Sequence, residues 1–261
     1  MKSLYESILD VEDNIDNMDE SIKDQIKQFL NNNFKNASRF KISEKPNKDG
    51  KFEVSVNGNV EVKNKNIISL TNGIFIWTNI KGNFICDHCD SLTTLEGAPE
   101  EISGEFNCFG CHSLTTLEGA PKEVGGDFYC RNCKSLTSLK GAPKEIGGAF
   151  NCGYCTSLTS LKGAPKEVGG YFSCNGCKSL KSLEGAPQTV KDSFYCNGNH
   201  LTSLEGAPTE VGGEFNCSNN QLTSLKGAPK EVGGDFNCED NPNLNSLDGI
   251  GEVRGDIYND L

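Results

Sequence analysis

The chain has no run of 18 apolar residues, no surplus of positive charge and a single tryptophan, and each shortage removes a class of protein. Without a long apolar run, no membrane-spanning helix is expected. The opening MKSLYESILDVEDNID is acidic and broken by charge where a signal peptide would be apolar, so the chain is expected to be soluble and cytoplasmic. Lysine and arginine number 25 against 36 aspartate and glutamate, a net charge of -11. A surface that displaces counterions from a phosphate backbone needs the opposite balance, so nucleic acid is set aside as a partner, and no membrane is expected either. No nucleophile, base and orienting residue stand out together, and no G-x-x-x-x-G-K-[ST] loop occurs. Neither an enzyme nor a cofactor site is expected.

Against these shortages stand 13 cysteines and 29 glycines in 261 residues, distributed by a repeat. The phenylalanine of an F-x-C triplet recurs at Phe84, Phe106, Phe128, Phe150, Phe172, Phe194, Phe215 and Phe236, at spacings of 22 and then 21 residues. A typical unit runs from Ser157 to Lys178 as S-L-T-S-L-K-G-A-P-K-E-V-G-G-x-F-x-C-x-x-C-x. Self-similarity at such a period is the mark of a solenoid. Gly-Ala-Pro and Gly-Gly interrupt any helix within the unit, and period-2 alternation occurs only around F-x-C. A short strand is therefore expected there, for example Asp127 to Cys130, with phenylalanine and cysteine inward and the residue between them outward. The rest of each unit is expected to return by an extended or turn-rich path, with Leu114, Leu117 and Val124 filling the interior. Such a unit cannot close its own core, so coils must stack as a parallel ladder. Eight clear coils would extend about 35 to 40 Å.

The unit resembles the leucine-rich repeat, L-x-x-L-x-L-x-x-N-x-L or L-x-x-L-x-L-x-x-C-x-x-L, with phenylalanine at the second leucine position and the first cysteine at the third. Cys89, Cys111, Cys133, Cys155 and Cys177, then Asn199, Asn220 and Asn241, take the asparagine-or-cysteine position. Two residues follow the cysteine before the next leucine, as in Cys111-His112-Ser113-Leu114, but one follows Asn199 and Asn220. Asn241-Pro242-Asn243-Leu244 departs from that coupling. The Gly-Ala-Pro return looks most like short proline-containing repeats of bacterial effector and surface proteins, with no room for a convex helix. The resemblance covers about residues 59 to 261. It implies a mostly β, curved solenoid with a parallel sheet on its concave face and protein binding as its use. It also implies that the ladder side chains bond backbone groups of adjacent coils. The start MKSLYESILD resembles that of proteins of gut-bacterial tailed phages.

Residues 1–58 form the expected N-terminal cap. Asp19-Glu20-Ser21 before Ile22, Ile26, Phe29 and Leu30 predicts a helix to about Asn33 with an acidic start and one apolar stripe. Two strands, Phe40 to Ser43 and Lys51 to Val56, are expected around the Lys45 to Gly50 turn. Gly73-Ile74-Phe75-Ile76-Trp77 is expected to plug the space between cap and solenoid, and Ile250 to Leu261 to form an eroded last coil. Up to Asn17 two courses stay open, an amphipathic turn or two or a mobile tail.

The C-x-x-C pairs invite a zinc or redox assignment. Asn199, Asn220 and Asn241 replace the second cysteine with no compensating ligand nearby, and strand cysteines facing a core lack the exposed, low-pKa setting of a redox thiol. Disulfides between coils are disfavoured because parallel side chains do not point at one another. No metal is expected. The variable columns beside phenylalanine and cysteine face outward, and from them the expected partner-binding residues are Glu105, Phe109, Asp127, Tyr129, Arg131, Tyr154, Tyr171, Tyr195, Glu214 and Asp235. A protein partner with a basic or amphipathic surface would suit them. The alternative is a virion-associated structural spacer attached through its N-terminal segment. Lys122-Glu123, Lys144-Glu145 and Lys166-Glu167 are expected to form a solvated charge ladder.

Overall fold

The computed structural model describes residues 4–261, with side chains from Met18 on. One α-helix, α1 (Leu4–Asn33), precedes a short 3-10 turn and a long succession of short strands, all of two residues except Phe52–Val56 and Phe75–Ile80. The helix starts well before the Asp19 expected for it; residues 4–17 belong to α1, whereas residues 1–3 lie outside the described residues. Asparagine replaces the apolar stripe at Asn31, Asn32 and Asn33, and the helix stops there.

From Val60 onward each coil contributes one strand to a ten-stranded parallel sheet that runs from Val60–Glu61 to Ile257–Tyr258. The register matches phenylalanine with phenylalanine, as in Phe106 to Phe128 and Phe172 to Phe194. Period-2 alternation explains the orientation: Phe128 and Cys130 are fully buried, while Tyr129 between them is half-buried. The regular strand holds only Phe128–Tyr129, shorter than the expected Asp127 to Cys130, because the chain turns immediately after cysteine.

The return path contains a second ladder that the alternation did not reveal. Glu101–Ile102, Glu123–Val124 and Glu145–Ile146 pair in parallel, and so do Glu167–Val168, Thr189–Val190, Glu210–Val211, Glu231–Val232 and Glu252–Val253. Each strand buries its valine or isoleucine and exposes the residue before it, except that Thr189 is half-exposed and Val253 half-buried. Pairing lapses between Ile146 and Val168, which divides this second sheet in two. Close approach dictates the Gly of Gly-Ala-Pro: Gly119 has φ 86°, and a Cβ on it would collide with the backbone of Leu95 and Glu96 one coil earlier.

Eight phenylalanines, Phe84 to Phe236, stack face to face along the interior, with ring centroids 5.2 to 5.7 Å apart. Flanking leucine columns, such as Leu114, Leu136 and Leu158, are fully buried beside them. Burying such side chains supplies about 1.5 to 3 kcal/mol each, the term that holds coils with so little regular backbone pairing.

The cap is continuous with this architecture. Lys41–Ile42 and Phe52–Val56 pair antiparallel, and Phe52–Val56 then pairs in parallel with Phe75–Ile80, which leads into the second ladder. Trp77 is buried, donates its indole N–H to the Leu70 carbonyl at 3.0 Å and meets Phe84 edge-on at 5.7 Å. Phe34, Phe40 and Phe75 surround it, so the ring stack ends against a perpendicular aromatic cluster. At the other end Ile257 and Tyr258 are exposed. No described helix is long and apolar enough to cross a membrane.

Candidate functional site

Two arrangements arise from the F-x-C-x-x-C/N segment, one pointing into the solenoid and one out of it. Inward, the ladder position reaches back one coil. Cys111, Cys133, Cys155 and Cys177 donate their thiol hydrogens to the carbonyls of Cys86, Cys108, Cys130 and Cys152 at 3.1 to 3.3 Å. Asn199, Asn220 and Asn241 donate through Nδ2 to the same carbonyl position, on Cys174, Cys196 and Cys217, at 3.0 to 3.2 Å. These carbonyls lie where no regular strand pairing covers them, so each buried acceptor is satisfied by a side chain.

The spacer length before the next leucine follows from the same bonds. With two spacers, the leucine N–H closes a local turn on the ladder residue's own carbonyl: Leu114 on Cys111, Leu136 on Cys133, Leu158 on Cys155 and Leu180 on Cys177, at 2.8 to 3.1 Å. With one spacer that turn cannot close. Leu201 and Leu222 instead donate to Oδ1 of Asn220 and Asn241, one coil further on, at 3.0 and 3.1 Å. A shortened coil thus calls for an amide in the coil after it, because a thiol is a poor acceptor. Asn241 answers Leu222, while its own two spacers let Leu244 close the local turn at 2.9 Å. This offset accounts for the Asn241-Pro242-Asn243-Leu244 departure. Asn199 follows a two-spacer coil whose leucine is already bonded, and its Oδ1 is the one buried side-chain polar atom without a partner among the described residues.

All 13 cysteines are free and buried. Burial pushes the thiols of Cys130, Cys152, Cys174, Cys196 and Cys217 well above their ordinary range, and Cys177 up to about 12. Hydrogen bonding with Cys133, reinforced by burial, does the same for Cys108 and Cys155. Among the described residues, no three histidine, cysteine, aspartate or glutamate side chains are grouped to hold a metal.

Outward, the ten-stranded sheet presents a face whose polar groups are fixed by hydrogen bonds within the chain. Asn107, Asn151, Asn216 and Asn237 each accept through Oδ1 the backbone N–H two residues on, at 2.9 to 3.1 Å. That bond turns their amide groups outward, and Asn107 and Asn216 donate to Glu105 and Glu214 at 2.8 Å. Asp127 and Asp235 are partly structural: Oδ1 of each accepts the N–H of the next coil, from Ala149 at 2.7 Å and Asp256 at 2.9 Å.

Near the middle of the sheet three tyrosines converge. The Tyr129 hydroxyl donates to Asp127 Oδ2 at 2.6 Å, Asn151 Nδ2 donates to the Tyr171 hydroxyl at 3.4 Å, and Tyr171 meets Tyr195 edge-on at 6.0 Å. Desolvation first, then the bond to Asp127 and the neighbouring Tyr171, hold the Tyr129 phenol above its usual range, so it remains a donor. All three rings are half-buried.

The other expected residues lie around this centre. Phe109 packs edge-on against His88 at 5.0 Å, so His88 supports an aromatic. Arg131 stacks over Tyr154 at 4.9 Å. Tyr154 is not on the strand: it occupies the turn after it, at φ 58° and 44% exposed, where the adjacent coils have Asn132 and Gly176, also at positive φ. Glu214 and Asp235 lie toward the C-terminal end, two and three coils beyond the Tyr171 coil, and do not join the tyrosine group. The lysines and glutamates of the return edge are exposed, and those that pair do so between coils: Lys122 with Glu100, Lys140 with Glu118 and Lys226 with Glu205. The fixed amides of the asparagine column were missed as functional groups; their signal is asparagine two residues before the acceptor turn.

Comparison with protein-family models, curated proteins and solved structures finds no match. The architecture alone is a β-solenoid of stacked coils with one N-terminal helix.

Proposed function

We propose that this chain is a non-enzymatic binding module of leucine-rich-repeat type that engages a protein through the outer face of its ten-stranded sheet. The observation that carries this reading is the group Asp127, Tyr129, Asn151, Tyr171 and Tyr195, three half-exposed rings of which Tyr129 and Tyr171 have their hydroxyls already held and Tyr195 packs edge-on against Tyr171. Ordering long side chains on binding costs free energy, and pre-ordered tyrosines avoid it while contributing large contact area. Glu105, Glu214 and Asp235 flank the group, which favours a partner surface carrying lysine or arginine. The work would be done where the chain is soluble, in the cytoplasm or within a virion.

Affinity purification with mass spectrometry from the native host identifies the partner. The combined variant Tyr129→Ala, Tyr171→Ala, Tyr195→Ala is then expected to weaken binding to that partner by at least about 30-fold. Binding that survives the triple variant intact overturns the assignment.

A further inference from the structure

Helix α1 changes character along its length. From Ile22 on, Ile22, Ile26, Phe29 and Leu30 pack against the solenoid core. Before that, Leu4, Ile8, Val11, Ile15 and Met18 recur at alternating spacings of four and three residues, the narrow seam by which helices pair with other helices. Met18, on that seam, is 62% exposed. Between Leu4 and Ile22 there are seven carboxylates, Glu6, Asp10, Glu12, Asp13, Asp16, Asp19 and Glu20, and no lysine or arginine. That segment therefore holds -7 of the chain's net -11, leaving -4 for the rest.

An isolated helix of that composition gains nothing from its own charges, since like charges three or four residues apart oppose helix formation. A second copy would bring seven more carboxylates alongside. We infer that the seam from Leu4 to Met18 is a docking helix for a partner that offers an apolar helix or groove flanked by lysine or arginine. The apolar residues at alternating four and three spacing supply the contact, and the carboxylates beside them supply orientation and salt dependence.

The probe is a labelled synthetic helix of three heptads with isoleucine and leucine on its seam and lysine on both flanks. Its control has the same seam and glutamate flanks. Fluorescence anisotropy with the full chain is expected to show saturable binding of the lysine probe, weakened at least about tenfold when salt rises from 50 to 300 mM. The double variant Ile8→Asn, Ile15→Asn keeps every charge and is expected to lose at least about tenfold in affinity. The Tyr129, Tyr171, Tyr195 triple variant is expected to bind the probe unchanged, which separates this inference from the tyrosine-face reading. Equal binding by the glutamate probe, or no effect of the double asparagine variant, overturns the inference. So does sedimentation of the full chain as a dimer that the double variant makes monomeric, since the seam would then belong to a second copy.

Discussion

The coils that carry cysteine at the ladder position and the coils that carry asparagine share their phenylalanine, leucine and valine columns, yet they satisfy one turn by different chemistry. From Cys89 to Cys177 each coil closes on itself, and its thiol needs only to donate. From Asn199 to Asn241 shortened coils leave a leucine N–H open, and the neighbour's amide both donates and accepts. One half is joined by hydrophobic stacking and weak sulfur bonds, the other by amides that tie each coil to the next. The difference teaches that repeat length and ladder residue are coupled across the boundary between coils and not within one.

Alkali breaks the comparison most strongly. The buried thiols of Cys108, Cys130, Cys152, Cys155, Cys174, Cys177, Cys196 and Cys217 are held above their unfolded range. Thiols in the unfolded chain ionise near pH 8.5, so above that the unfolded state binds fewer protons and stability falls as pH rises, toward about 12 for Cys177. Each thiol so held removes about 1.4 kcal/mol per pH unit in that window, while Cys133, held low by its hydrogen bonds with Cys108 and Cys155, acts in the opposite sense. Six of the eight belong to coils with a ladder cysteine, so proteolytic cleavage between residues 86 and 177 is expected at lower pH than cleavage beyond 199. Intact β-structure by circular dichroism at about pH 11 contradicts this.

Leu139→Ala and Leu225→Ala, one in each half, are each expected to cost about 2 to 5 kcal/mol in urea unfolding, because both leucines are fully buried in equivalent columns. A large gap between them would mean that the halves differ in packing as well as in turn chemistry. Asn220→Cys and Asn241→Cys remove the acceptors of Leu201 and Leu222 and are expected to cost about 1 to 3 kcal/mol each. Asn199→Cys removes an unpartnered oxygen together with its donor bonds and is expected to lie within about 1 kcal/mol of the parent. If all three cost the same, the offset between coils has no energetic meaning. The smallest effect is chemical. The folded chain is expected to carry no stoichiometric zinc and to react slowly with thiol reagents until denatured. Cys238, in the last cysteine-bearing coil and the one cysteine not wholly buried, should react first in labelling followed by mass spectrometry.

Much of this was legible in the residues. Phenylalanine and cysteine two apart, repeated at 21 or 22 residues, announce the inward-facing columns and their parallel stacking. The second ladder was not legible, because Glu123–Val124 is two residues long between proline and glycine and shows no alternation. The start of α1 was obscured by carboxylates, which dilute the apolar stripe that marks a helix. Of the outward face, the tyrosines stood out as variable positions in an otherwise fixed repeat. That Asp127 and Asp235 spend an oxygen on the next coil's N–H depends on the distance between coils, which no single unit contains.

The phenylalanine column presents the same ring, at nearly the same spacing and tilt, from Phe84 to Phe236. Seen along this column, one coil cannot be told from its neighbour, so among the coils from Cys89 to Cys177, which share ladder residue and spacer length, length is a free variable of this architecture. Excising one whole coil between successive phenylalanines, for example residues 150–171, would set Phe128 against Phe172 as it now faces Phe150. The cap would not register the loss, and the tyrosine face would be shortened by one rung. Reach and recognition can therefore change by whole steps in evolution without redesign of the interior.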